Sequence, residues 1–145
     1  MPTAARQETR QEFRVDGLAE PISHYTDAVR FRDLLFISGV APLDEAGRVP
    51  TADVIGQAEL VFQNLKKILD AAGAGFSDIL KVTVFLTDIA DRTKINPVRQ
   101  RHFGHARPAS TLIGVNELAV PGMKLEIEAV VGLPDAKTDS KNGGR

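Results

Sequence analysis

The chain has 145 residues, with 18 Lys and Arg against 19 Asp and Glu, and no cysteine. A single domain of this size buries roughly 68–70% of the surface that its unfolded chain exposes, so it needs no disulfide or metal for stability. The lack of cysteine excludes thiol catalysis, a thiolate-bound zinc and an iron–sulfur cluster. The balanced charge argues against a nucleic-acid partner, because it provides no overall field to attract phosphates.

Both ends of the chain are polar and lack the pattern of a regular element. We predict a flexible N-terminal tail at 1–12, the folded domain at 13–133 and a flexible C-terminal tail at 134–145. The first residues lack the apolar core of a signal peptide, and no apolar stretch approaches the ~20 residues that span a bilayer. We therefore expect a cytoplasmic protein without membrane contact.

The first predicted elements are two strands and a helix. The runs 25–31 and 34–40 flank Arg32-Asp33, which predicts a hairpin, and the second run begins apolar on both faces, as in a central strand. Turn residues then indicate a loop at 42–50. An amphipathic helix of about 20 residues follows, capped by Thr51 or Asp53 and ended by Gly73. Its apolar face is formed by Val54, Ile55, Ala58, Val61, Phe62, Leu65, Ile68, Leu69 and Ala72.

The opposite face of this helix is polar, and Gln57 and Asn64 fall among its residues. The next predicted element is a strand near 80–87, in which polar residues alternate with Leu80, Val82, Val84 and Leu86. Together these patterns predict a long helix lying across a sheet.

The last third of the chain predicts a short helix and two strands. Asn96-Pro97 is typical of a helix start, and the helix should run to about Phe103. The strands, at about 109–116 and 124–131, flank Pro121-Gly122, a pair suited to a type II turn. On the last strand the apolar residues share one face, and Glu126 and Glu128 share the other.

This order of elements predicts an α+β domain with a mixed sheet and two helices packed on one face. The other sheet face would then be an exposed patch too large for a monomer. We therefore expect further copies of the chain to cover it.

Five motifs, taken in this order along the chain, resemble the Rid (reactive intermediate deaminase) superfamily. They are Phe36-Ile37-Ser38-Gly39, Leu69-Asp70-Ala71-Ala72-Gly73, the strand 81–88, Arg107-Pro108-Ala109 and the strand 124–129. The resemblance covers about residues 22–133 and implies a chorismate-mutase-like homotrimer with small-molecule clefts between subunits. It also implies hydrolysis of reactive enamines or imines, such as 2-aminoacrylate, to a carbonyl compound and ammonia, without a cofactor. Older family names are translation inhibitor and endoribonuclease.

Position by position, the resemblance implies a catalytic Glu126 and a set of substrate-binding residues, namely Tyr25, Ser38, Gly39, Asn96 and Ser110. Imine-deaminating members carry an arginine, which binds the substrate carboxylate, at the position of Ser110. A hydroxyl cannot replace the bidentate pair that a guanidinium makes with a carboxylate. The expected substrate therefore differs from 2-aminoacrylate.

Each candidate also has a structural explanation. A carboxylate can activate water for attack on an imine carbon, and a cleft would raise the pKa of Glu126. The alternative is a solvated strand glutamate, which fits Glu128 equally well. Tyr25 could be a half-buried ring with its hydroxyl in water, Ser38-Gly39 a strand end, and Asn96 a helix cap, which is the interpretation that we favour for the asparagine.

A basic cluster formed by Arg99, Arg101, His102, His105 and Arg107 spans nine residues. Such a run is usually a solvated face, but it could also be an anion-binding rim or an RNA-contacting patch. Arg107 is the candidate anion-binding residue, although in an extended strand it would face away from Ser110. The two histidines lack further ligands, so we expect no metal site.

The leading hypothesis is a Rid-type hydrolase without a cofactor, in which Tyr25 from one subunit meets Glu126 and Ser110 from its neighbour. The alternative is a non-catalytic trimer that binds a small metabolite or acts as a chaperone-like surface. A ribonuclease is a third hypothesis, which rests on the basic cluster and the older family names.

Overall fold

The computed structural model describes residues 9–134. The predicted tails fall mostly on residues 1–8 and 135–145, which lie outside the described residues. Within these residues, six strands and two α-helices follow in chain order: β1 Arg10–Phe13, β2 Ala28–Phe31, β3 Leu34–Val40, α1 Val54–Ala72, β4 Ile79–Leu86, α2 Arg92–Phe103, β5 Ala109–Gly114 and β6 Leu125–Gly132. Short 3-10 turns at Phe76–Asp78 and Ile89–Asp91 precede β4 and α2.

The strands form one mixed sheet in the order β1-β2-β3-β6-β4-β5. All neighbouring pairs are antiparallel except β4 and β5, which are parallel. A parallel pair needs a crossover connection, and α2 provides it. The predicted α+β class with a mixed sheet and two helices is therefore confirmed, and β3 lies in the interior of the sheet as its apolar sequence indicates.

The helix α1 begins and ends where the sequence predicts. The carboxylate of Asp53 accepts a hydrogen bond from the backbone N–H of Gly56 at 3.1 Å, which caps the first turn. Gly73 ends the helix with a φ of 72°, a left-handed conformation that costs glycine little. Its apolar face packs on the sheet, and Phe62 and Leu65 are completely buried.

The polar residues Gln57 and Asn64 do not lie on the solvent side of α1, and their predicted exposure is wrong. Both are buried. The Nδ2 of Asn64 donates to the carbonyls of Ala41 and Leu43, at 3.1 and 3.0 Å. A buried amide is stable where its donors are satisfied, so the asparagine fixes the loop after β3.

Three boundaries differ from the sequence expectation. Residues 10–12, predicted as tail, form most of β1, whose polar residues suit an edge strand and give no apolar alternation. Leu80 is exposed instead of buried, because a register shift between Ile79 and Lys81 moves it off the inward face. The strand predicted at 109–116 ends at Gly114.

Asn96 does not cap α2, because the helix begins four residues earlier, at Arg92. The preceding 3-10 turn is fixed by the Asp88 carboxylate, which accepts from the N–H of Ala90 at 3.0 Å. Pro97 thus lies inside the helix, where its ring leaves the carbonyl of Thr93 without a helical N–H partner. Asn96 is exposed and free to face a cleft.

The turn before β6 has the predicted form. Gly122 has a φ of 93°, and the N–H of Met123 donates to the carbonyl of Val120 at 3.1 Å, as in a type II turn. Along β6, alternate residues from Leu125 are buried, and Glu126 and Glu128 lie on the opposite side, as predicted. No described helix is both long and apolar enough to cross a membrane.

Candidate functional site

The predicted site residues divide between two separate concave surfaces. The first, called here the carboxylate cleft, has a volume of ≈ 380 Å³ and includes Tyr25, Ser38, Gly39, Phe85 and Glu126 in its lining. The second, called here the arginine cleft, has a volume of ≈ 580 Å³ and its lining includes Asn96, Arg99, Phe103, Arg107 and Ser110. Both volumes lie within the range of small-molecule sites.

Sheet register explains the division. Glu126 pairs with Phe85 across β6 and β4, on the side of the sheet away from the helices. Ser110 pairs with Val82 across β5 and β4, and Val82 is buried on the helix side. Because alternate strand residues face opposite sides, the two residues cannot share a cleft within one chain. The expectation that Glu126 and Ser110 come from the same subunit is therefore wrong, and Tyr25 is the residue that accompanies Glu126.

The carboxylate of Glu126 lies directly over Gly39. The register of β3 and β6 shifts between Ile37 and Val40, at Ser38-Gly39. A Cβ added to Gly39 would lie 2.7 Å from Cδ of Glu126 and 2.9 Å from its Oε2. The glycine is thus required for close approach, and the bulge creates the space that the carboxylate occupies.

Burial raises the pKa of Glu126, and the nearby charge of Glu128 raises it further. Within the described residues, no cation lies within ion-pair distance of this carboxylate. A desolvated, uncompensated carboxylate holds its proton at a higher pH than a solvated one. A raised pKa makes the Glu126 carboxylate a stronger proton acceptor, which suits a candidate general acid–base group.

Ser38 has part of its hydrogen-bonding capacity in use. Its hydroxyl donates to the carbonyl of Thr26 at 2.6 Å, and its N–H donates to the carbonyl of Asp27 at 3.0 Å. The side chain of Asp27 is in turn held by Arg14 Nη1, which donates to it at 2.7 Å. With its proton committed, the Ser38 hydroxyl can offer only lone pairs to a ligand.

Tyr25 lies at the rim of the carboxylate cleft and is 47% exposed. Its hydroxyl oxygen accepts a hydrogen bond from the N–H of Ile22 at 3.4 Å, and its own proton remains available. The ring can therefore cover one side of a ligand while the hydroxyl donates to it.

Gln57, a residue that the sequence pattern does not single out, fixes the segment leading to Glu126. The buried Nε2 of Gln57 donates to the carbonyls of Thr51 and Gly122, at 2.8 and 2.9 Å. Its Oε1 accepts from the N–H of Lys124 at 2.8 Å. One side chain thus connects the start of α1 to the turn before β6, two residues before the candidate catalytic group.

In the arginine cleft, Arg99 makes the contact that sequence reasoning missed. Its Nη2 donates to Oγ of Ser110 at 2.9 Å. Burial lowers the pKa of this guanidinium. The signal available in the sequence was helical spacing, because Arg99 follows Asn96 by three residues and so shares its face of α2.

The remaining members of the basic cluster have separate roles. Arg101 and His102 contact the carboxylate of Glu59, at 2.6 and 3.0 Å, on α1. Arg107 lines the arginine cleft together with Ser110. It lies before the start of β5, so the alternation of side chains along a strand does not turn it away from Ser110. Within residues 9–134, no three His, Cys, Asp or Glu side chains are close enough together to hold a metal ion.

We expect Gly39→Ala to reduce catalysis at least tenfold in a protein that still folds. The new methyl group would push the Glu126 carboxylate by about 1 Å to reach ordinary contact distance, and misplacement on that scale costs up to about 10²-fold in rate. Steady-state turnover measures the change in rate, and a thermal melt shows whether the variant still folds. Gly75→Ala is the matched control, since a Cβ there meets nothing within 4 Å. Equal turnover by Gly39→Ala and wild type would contradict the prediction.

The protein has an α+β fold with two separate clefts, of which one is lined by Glu126 and the other by Arg99 and Arg107. A sequence model of the family described as Endoribonuclease L-PSP matches residues 17–132. The chain belongs to this family, and the Rid resemblance of its motifs is confirmed.

Two relatives and one solved structure illustrate the similarity. A RutC family protein of Pyrococcus horikoshii is 38% identical over 116 residues, which are 79% of this chain and 91% of the relative. The 2-iminobutanoate/2-iminopropanoate deaminase of Dermatophagoides farinae is 31% identical over 113 residues, 77% of this chain and 88% of that protein. The crystal structure of E. coli TdcF with bound serine has a TM-score of 0.76 and 32% identity, and the match covers 85% of this chain and 100% of that chain.

Proposed function

We propose that this protein is a hydrolase that converts a reactive enamine or imine to a carbonyl compound and ammonia. The observation that carries the proposal is the uncompensated, half-buried carboxylate of Glu126, whose pKa is raised by burial. The family, in which one relative is named an imine deaminase, supports the same general activity.

The proposed reaction requires one water and one group that moves a proton. Glu126 accepts a proton from the water as the oxygen attacks the imine carbon, and it passes this proton to the imine nitrogen, which gives a neutral carbinolamine. The carboxylate then accepts the proton of the new hydroxyl group and donates it to the nitrogen as the C–N bond breaks, so that the carbonyl compound and ammonia leave. An enamine substrate first takes a proton on carbon and loses one from nitrogen to become the imine. Because one carboxyl group transfers both protons, a raised pKa suits both directions of transfer.

The site is proposed to form between subunits of a homotrimer. The carboxylate cleft and the arginine cleft open on different sides of the sheet, so a ligand that touches both must lie between two copies of the chain. The sheet face away from the helices also exposes the apolar side chains of Phe36 and Leu80, at 46% and 52%. Contact with other copies would bury them.

The substrate is proposed to differ from 2-aminoacrylate. Ser110 has a short neutral side chain, and together with Tyr25 it offers hydrogen bonds without a charge of its own. A short residue at this position leaves more space in the cleft than an arginine would, which favours a substrate with a larger side chain.

The proposal is tested with purified protein and imines generated in situ from a panel of amino acids by an amino-acid oxidase. We expect faster formation of the carbonyl product than in buffer, with the greatest acceleration on substrates larger than 2-aminoacrylate. Light scattering should give three times the 15.7 kDa mass of one chain. A trimer that binds the products but accelerates no imine would overturn the enzymatic proposal in favour of a binding protein. A monomer with full activity would overturn the shared site.

A further inference from the structure

We propose that Arg99, together with Ser110, binds the carboxylate group of an acidic substrate. The inference rests on the proposed function for its substrate, an imino or enamino acid, but the binding site itself is defined independently of turnover. It assigns the anion-binding role to a helix residue and not to Arg107, which the sequence analysis named.

Arg99 is held in one direction by its surroundings. It projects from the third turn of α2 toward β5, and its Nη2 donates to Ser110 Oγ at 2.9 Å. The cleft between this helix and strand is also lined by Phe103 and Pro108, which cover part of it with apolar surface. A guanidinium held by an accepting hydroxyl and partly enclosed by carbon atoms loses less conformational entropy on binding than a free surface arginine does.

The charge of Arg99 is not compensated within the described part of the chain. No carboxylate there lies within ion-pair distance of it, and the residues that line the arginine cleft include no Asp or Glu. Arg101, two residues later on the same helix, is by contrast paired with the carboxylate of Glu59 at 2.6 Å. A half-buried cation without a counter-ion is costly, and an anionic ligand in the cleft would remove that cost.

The hydrogen-bonding capacity of the pair matches a carboxylate. Ser110 Oγ accepts from Arg99, so the serine proton remains available to donate. Arg99 has further N–H groups beyond the one that contacts the serine. One ligand oxygen can therefore accept from the guanidinium while the other accepts from the hydroxyl, an arrangement of donors that suits a planar two-oxygen anion.

Arg107 and His105 lie at the edge of the same cleft and are exposed. Exposed cations contribute mainly a long-range attraction that salt screens. We therefore assign them to the approach of the anion and Arg99 to its binding. This division predicts that affinity depends strongly on Arg99 even at high ionic strength.

The experiment measures binding, by titration calorimetry on the full-length assembled protein, of 2-oxobutanoate and of its neutral amide. We expect the acid to bind and the amide to bind much more weakly. Arg99→Gln should weaken binding of the acid by on the order of 10- to 100-fold, the effect of losing a charge-assisted hydrogen bond. The affinity of Arg99→Lys for the acid should fall between that of the wild type and that of Arg99→Gln, because lysine keeps the charge but lacks the planar guanidinium. Arg92→Gln is the control, with the same charge change on the same helix outside the cleft.

Two outcomes overturn the inference. One is equal affinity of wild type and Arg99→Gln for 2-oxobutanoate when both show the same thermal melt and assembled mass. The other is Arg99-dependent binding of a short oligoribonucleotide, with no binding of the acid, which would assign the cleft to phosphodiesters. The result is separable from the proposed function. Carboxylate binding that depends on Arg99, without imine turnover, would support the binding site and contradict the enzymatic proposal. Imine turnover together with carboxylate binding that does not depend on Arg99 would support the enzymatic proposal and contradict the binding site.

Discussion

Replacing Glu126 with glutamine should lower the turnover of the wild-type substrate by about 10²- to 10⁴-fold, the contribution of a positioned general acid–base group. The amide has nearly the same shape and can still lie over Gly39, but it can neither accept the proton of the attacking water nor return it to nitrogen. Initial rates of carbonyl formation measure the effect. Glu128→Gln is the comparison, because this residue lies on the same strand and face. A loss in Glu128→Gln as large as in Glu126→Gln would contradict a specific role for Glu126.

The same substitution should raise the melting temperature at pH 7 to 8. The pKa of Glu126 is higher in the folded chain than its ordinary value, first because of burial and then because of Glu128. The folded state therefore holds this proton more tightly, and the ionised form lowers stability as pH rises through the folded pKa. Below about pH 4 the carboxyl is protonated in both states and the difference between variant and wild type should disappear. A melting temperature lower than wild type across this range would contradict the assignment.

Phe62→Ala should lower the free energy of unfolding by about 3–5 kcal/mol, which corresponds to roughly 10 °C or more in melting temperature. Phe62 is completely buried in α1. Its ring stacks on His102 with centroids 4.8 Å apart and meets Phe103 edge-on at 5.8 Å. Because total stability is typically only 5–15 kcal/mol, this single truncation removes a large share of it. Thermal and urea unfolding provide the measurement.

The loss should extend to the arginine cleft, because Phe103 lines it and packs against Phe62. The variant should therefore bind 2-oxobutanoate more weakly even at temperatures where it remains folded. For stability the comparison is Phe76→Ala, since Phe76 belongs to the same ring cluster but is only half-buried. A larger loss of stability in Phe76→Ala than in Phe62→Ala would contradict the central position of Phe62 in the cluster.

The sequence was sufficient for the elements with strong periodicity. The apolar spacing of α1 and the alternation of β6 each follow directly from burial of one face, and the caps Asp53 and Gly73 follow from backbone requirements. It failed where the pattern was weak or was overridden. The polar β1 owes its strand conformation to pairing with β2, and the exposure of Leu80 results from a bulge that only the neighbouring strand reveals.

For the candidate site, the sequence identified residue types but not their grouping. Glu126 and Ser110 both lie on strands, and only the register with β4 shows that they face opposite sides. The contact between Arg99 and Ser110 depends on how α2 packs beside β5, which helical periodicity does not encode. The burial of Gln57 was not predicted for a related reason. The residue stands among polar helix residues, and the sequence does not show that its amide contacts backbone groups of a distant turn.

The separation of the carboxylate cleft from the arginine cleft has a consequence for trimers that contain two different variants. If every working site takes its carboxylate from one subunit and its guanidinium from another, two inactive variants can rescue each other. Coexpression of Glu126→Gln with Arg99→Gln at equal levels should produce hybrid trimers in which about one cleft in three inherits both intact halves, which is about one in four of all clefts when association is random. Activity above that of either parent variant would demonstrate intragenic complementation and show that each working cleft is shared between subunits.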